Sequence, residues 1–173
     1  MNSNFEEKEF YFIAEIGVNH EGRIEDAKKI IDAAKRAGAD AVKFQTYKAE
    51  KLASKIAIAY WDITEESTEN QFELFKKYDA LNFEDYRVLA EYCSEIEIDF
   101  ASTPFDLDAV DFLDSHVTYF KIASADITNL PLIRRIAQKN KPIILSTGAS
   151  NKEEISRAIN EIKNINEIPI TLL

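Results

Sequence analysis

The sequence predicts an α/β protein, an incomplete (β/α)8 TIM barrel of about five β/α units followed by a sixth strand. Three observations carry that expectation. Short runs of branched and aromatic residues alternate with stretches of helical apolar periodicity along the chain. The strand-like runs are apolar on both faces, as in a parallel sheet covered by helices. The four glycines form neither G-x-G-x-x-G nor a P-loop, which weighs against a dinucleotide-binding doubly wound sheet. A complete barrel takes about 250 residues. The 173 residues are therefore expected to hold its N-terminal part, with the last strands absent.

In chain order, residues 1–9 read as a polar leader without the pattern of a signal peptide, and residues 10–173 as the partial barrel domain. Phe10 to Gly17 is a buried strand. Arg23 to Ala37 is a helix with Ile24, Ala27, Ile30, Ile31 and Ala34 on one face, closed by Gly38 as C-terminal cap. Ala39 to Thr46 is the second strand. Residues 47–81 break the rhythm and read as an insertion containing a helical piece, Asn70 to Tyr78. Asn82 caps the next helix, to Ser94, and Ile96 to Ser102 is the third strand. Asp106 caps a short helix before a fourth strand, Thr118 to Ile122. Asn129-Leu130-Pro131 opens another helix, with proline tolerated in its first turn. Pro142 to Ser146 is the fifth strand, Ser150 and Glu153 make a capping box, and Ile168 to Leu173 begins a sixth strand.

Composition narrows the function classes. A net charge of -10 argues against nucleic-acid binding and against long-range steering of an anionic substrate. Any anion site must be local. No apolar run approaches the roughly 20 residues that span a bilayer. The single cysteine, Cys93, sits at helical spacing among apolar residues and reads as a core thiol. A cytoplasmic protein without a membrane or nucleic-acid partner is expected.

The chemistry-bearing residues gather at the C-terminal ends of the strands, where barrels place their sites. They are Glu15; Lys43 and Gln45; Ser102 and Thr103; Lys121, Ser124 and Asp126; Ser146 and Thr147. Lysine inside an apolar strand is costly to bury without a partner. Each lysine alone could pair with a carboxylate in the core. Two lysines with several hydroxyls on one rim make a cradle for a phosphate or carboxylate, with Glu15 and Asp126 available for proton transfer or for holding a hydroxylated substrate. Lys121 alternatively suits a Schiff-base aldolase. Asn19 and His20 follow Glu15 on a polar turn, where His20 could be catalytic, a metal ligand or a hydrogen-bonding prop; with no second histidine nearby to build a metal site, the structural role is the one expected. His116 is expected to be exposed.

At these positions the chain resembles the sialic acid synthase family, which includes N-acetylneuraminate, legionaminic and pseudaminic acid synthases. The resemblance rests on Glu15-Ile16-Gly17-Val18-Asn19-His20-Glu21-Gly22, Val42-Lys43-Phe44-Gln45, Ser102-Thr103-Pro104-Phe105, Lys121-Ile122-Ala123-Ser124 and Leu145-Ser146-Thr147-Gly148. It implies a transferase that forms a C–C bond between phosphoenolpyruvate and an N-acetylated amino sugar such as N-acetylmannosamine, with a divalent metal (Mn²⁺ or Mg²⁺) polarising the aldehyde. It implies that Lys43, Thr103, Lys121, Ser124 and Ser146 bind phosphoenolpyruvate. Glu15, Asp126 and Lys121 are then the catalytic candidates, and Asn19, His20, Gln45, Ser102 and Thr147 support them. Many members carry glutamate where this chain has Asp126. The family's metal-binding histidines and its C-terminal antifreeze-like domain lie on segments beyond Leu173, so no metal ligand is assigned in this chain. The full-length form is expected to be a homodimer, and this chain alone is not expected to turn over. A non-enzymatic binding or assembly module is the remaining alternative.

Overall fold

The computed structural model describes residues 9–173; all but the last residue of the leader lie outside the described residues. Six parallel strands alternate with helices. β1 (Ile13–Gly17), β2 (Ala41–Thr46) and β3 (Asp99–Pro104) form one sheet in that order. β4 (Phe120–Ile122), β5 (Ile143–Leu145) and β6 (Ile170–Leu172) form a second. The sheets meet where β3 lies beside β4. No closed barrel is formed among the described residues.

Strand alternation divides the residues between two faces. Val42, Phe44, Phe100, Phe120, Ile122, Ile143 and Leu145 pack into the large core with helix residues such as Ile31, Leu89 and Ile133. The intervening positions Ala101, Tyr119 and Ile144 form a smaller cluster on the opposite face, joined by Tyr11 and Ile13. The same parity puts Glu15 opposite Lys43, Lys43 opposite Ala101, Gln45 opposite Thr103, and Lys121 opposite Ile144. Register thus sets the polar residues above the small cluster, at the C-terminal strand ends.

The helices begin and end where local chemistry dictates. α1 (Ile24–Arg36) buries Ala27 and Ile31. Gly38 follows it at φ +89, its N–H bonded to the Lys35 carbonyl and that of Ala39 to Ala34, a pairing that needs the left-handed conformation glycine adopts without strain. α2 (Ala49–Leu52) and α3 (Gln71–Tyr78) lie between β2 and α4 (Phe83–Glu95). Tyr47 packs there against Phe75 and Phe105, and Lys48 pairs with Asp79. Asn82 makes a reciprocal capping box with Asp85. α5 (Leu107–Leu113) and α6 (Leu130–Ala137) are capped by Asp106 and Asn129.

Four local expectations are corrected. The box at α7 (Lys152–Lys163) is Asn151 with Glu154, one residue later than Ser150 with Glu153. Ser150 instead donates to the Gly148 carbonyl. β1 starts at Ile13, with Phe10 and Phe12 exposed. β3 starts at Asp99 because α4 continues to Glu95 and the chain turns through Glu97 at φ +58. His116 is half-buried, stacked on Phe112 at 4.5 Å, with Nδ1 2.9 Å from the Phe112 carbonyl. Cys93 is fully buried, and burial pushes its thiol up to about 12.

Candidate functional site

β1, β2, β3, β4 and the turn after β5 bring Glu15, Lys43, Thr103, Lys121 and Ser146 together. Lys43 Nζ forms an ion pair with Glu15 Oε2 and lies 3.4 Å from Thr103 Oγ1. Lys121 is 8% exposed; its Nζ donates to Ser146 Oγ at 2.6 Å and to the Ile122 carbonyl at 2.9 Å. Desolvation, and then the neighbouring Lys43 charge, push the Lys121 amine down to about 8, with Glu15 pulling the other way. The two ammonium groups therefore belong to one electrostatic cluster. Gln45 reaches the same place: a Cβ added at Gly17 would stand 3.4 Å from Glu15 Oε1 and 3.7 Å from Gln45 Nε2.

Ser124 begins a short 3₁₀ turn, Ser124–Asp126, just past β4. It faces Gly148, where an added Cβ would sit 3.4 Å from Ser124 Oγ. Ser124, Ala125, Gly148 and Glu154 help line a cavity of about 340 Å³. Asp126 is held by Asn129, whose Nδ2 donates to Asp126 Oδ1 at 3.1 Å. Burial raises the Asp126 pKa and the Asn129 bond opposes that shift. Asp126 makes no ion pair with either lysine. Asn129 also caps α6 through Oδ1, which accepts from Leu132 N–H. Its link to Asp126 went unread in the sequence, although the three-residue spacing was a signal for it.

Other candidates stand apart. Ser102 Oγ is 2.7 Å from Thr46 Oγ1 and fully buried on the helix-facing side, because it neighbours the inward Thr103. Thr147 donates to the Leu173 carbonyl at 2.7 Å, which joins the turn to the end of β6. Asn19 is exposed. His20 is 1% exposed, packs 5.8 Å from the Phe44 ring, and accepts at Nδ1 from Gly22 N–H at 3.0 Å. Its Nε2 is enclosed without a hydrogen-bond partner. Burial lowers its pKa, so the ring is kept neutral while it braces the turn after Glu15.

At the opposite ends of the strands, Tyr11 Oη donates to Asp99 Oδ2 at 2.5 Å and its ring stands 6.1 Å from that of Tyr119. This arrangement closes the small cluster from below. Among the described residues, no group of three or more His, Cys, Asp or Glu side chains is placed to hold a metal ion. No helix of the described residues is long and apolar enough to cross a membrane.

The profile of the NeuB family matches residues 30–173. The chain belongs to the NeuB family. It is 41% identical over 156 residues to N,N'-diacetyllegionaminic acid synthase of Legionella pneumophila, covering 88% of this chain and 44% of that protein. The enzyme of the same description from Campylobacter jejuni is 42% identical over 156 residues, covering 88% and 46%. The chain thus spans less than half the length of these NeuB relatives. Among solved structures, N-acetylneuraminic acid synthetase of Leptospira borgpetersenii in complex with citrate superposes with a TM-score of 0.81 at 31% identity, over 94% of this chain and 52% of that one. A truncated 3-deoxy-D-arabino-heptulosonate 7-phosphate synthase of Thermotoga maritima superposes at 0.66 with 15% identity over 94% of this chain and 50% of that one, a likeness of fold alone.

Proposed function

We propose that this NeuB-family chain forms the phosphoenolpyruvate-binding side of a nonulosonic acid synthase whose (β/α)8 barrel is completed by further strands. The observation that carries the reading is the placement of Lys43 with Thr103 and of Lys121 with Ser146 at the C-terminal strand ends, near enough that the Lys43 charge lowers the Lys121 amine. A ligand with both a phosphate and a carboxylate matches two ammonium groups and flanking hydroxyl donors. The family resemblance adds Ser124, just past β4, as a further hydroxyl donor.

The reaction is an aldol-type condensation with an N-acetylated amino sugar. The C2=C3 electron pair of phosphoenolpyruvate forms the new bond from C3 to the aldehyde carbon, and the aldehyde oxygen takes a proton. Water adds at C2, and phosphate leaves with cleavage of the C2–O bond. Lys43 and Lys121 orient the anion and stabilise charge on the departing phosphate. Glu15, paired with Lys43, and Asp126, held by Asn129, are the candidate proton carriers or hydroxyl acceptors. The metal dependence implied by the family resemblance is not supplied by the described residues, and none of these steps is assigned to a metal. The 10–173 region is read as one part of the catalytic domain of a cytoplasmic homodimer.

Calorimetric titration of phosphoenolpyruvate tests the reading. Lys121→Ala is expected to weaken binding by at least about ten-fold, the effect of losing a charge-assisted hydrogen bond. Unchanged affinity removes Lys121 from the cradle. The desolvated Lys121 amine also favours a second reading, imine formation with a keto substrate. Borohydride trapping separates the two, because only the imine leaves a covalent adduct on Lys121.

A further inference from the structure

The cradle contains its own anion. Glu15 and Lys43 are direct cross-strand partners, so their side chains meet without either one extending far. Their environments differ. The Lys43 side chain is 12% exposed and the Glu15 side chain is 50% exposed. Lys43 is fixed on the central strand of its sheet and lies beside Thr103; Glu15 is the partner that faces solvent. Gly17 presents no side chain toward Glu15 Oε1, which leaves the carboxylate room to turn. With Glu15 in place, one of the two lysine charges is already neutralised.

We propose that Glu15 is a built-in competitor: it occupies Lys43 while the cradle is empty and is displaced by an anion of the phosphate class. The inference rests on the cradle reading above. Its chemical consequence is selectivity by charge. A monoanion gains little by replacing one carboxylate with another negative group. A dianion that displaces Glu15 meets both ammonium groups at once. The fraction of molecules with Lys43 free sets the apparent affinity, so removing the competitor tightens binding.

Calorimetry with inorganic phosphate on the 173-residue chain decides the matter. Glu15→Gln keeps the shape and removes the charge; it should bind phosphate about five-fold more tightly than wild type, the weight of an ion pair with one half-exposed member. If circular dichroism shows that Glu15→Gln does not fold, Glu15→Ser takes its place with the same expectation. Lys43→Ala runs alongside and should lose phosphate binding. Equal or weaker binding by the Glu15 variant, with binding lost in Lys43→Ala, overturns the competitor and leaves the cradle standing. Absence of phosphate binding in both wild type and the Glu15 variant overturns the cradle and the competitor together.

Discussion

The Lys121 amine donates two hydrogen bonds and still sits with 8% of the residue exposed, next to a second lysine. Its pKa falls from 10.5 to about 8. Between those values the unfolded chain holds a proton that the folded chain has released, so stability rises with pH across that window. Below it, the buried charge works against the fold. Lys121→Met is therefore expected to raise the melting temperature at pH 7 by about 2–4 °C per kcal/mol relieved for a chain of this size. Its advantage should shrink as pH rises from 8 towards 10.5. Melting curves at several pH values check this, and a lower melting temperature for Lys121→Met at pH 7 would mean that the hydrogen bonds to Ser146 and Ile122 outweigh the desolvation. His20 titrates with the same sense. Its lowered pKa makes stability fall as pH drops from 6.5 towards the folded value, because only the unfolded ring then takes up a proton.

At the scale of the element, periodicity made the order of strands and helices legible, while ends and orientations depended on competition between neighbours. Ser150-Asn151 followed by Glu153-Glu154 contains two overlapping capping patterns. The structure uses Asn151 with Glu154, and Ala149 precedes them at φ +56. Asn151→Ala is thus expected to cost about 1 kcal/mol, and Ser150→Ala to stay within about 0.5 kcal/mol, in urea denaturation. The reverse ranking would restore the earlier box. Adjacency misled the reading of Ser102 in a similar way. Ser102 and Thr103 sit side by side in sequence, but alternation sends them to opposite faces, and only Thr103 reaches Lys43. The two lysines were legible because a cation inside an apolar run has few explanations. The burial of His20 was not, because it depends on Phe44 and the turn closing over it from elements distant in sequence.

Across the whole molecule, the large core joins both sheets to the helices, whereas β6 lies at the margin. Phe44 in β2 is fully buried, but Leu172 and Leu173 are 46% and 63% exposed. Native-state hydrogen exchange should show the bonded amides of β6 exchanging at least about ten-fold faster than those of β2, since local opening is easiest where few apolar contacts hold an edge. Equal protection would mean that the two sheets open only as one unit. The alternation of faces carries a longer consequence. Lys43, Gln45, Ala101, Thr103 and Lys121 share the face of the candidate site, and each is flanked along its strand by a residue of the main core, by a member of the buried Thr46–Ser102 pair, or by both. The candidate anion cradle and the core are thus written in interleaved letters of the same strands. Substitution on one face can therefore leave the packing of the other in place, so the candidate cradle can change its residues without a new core.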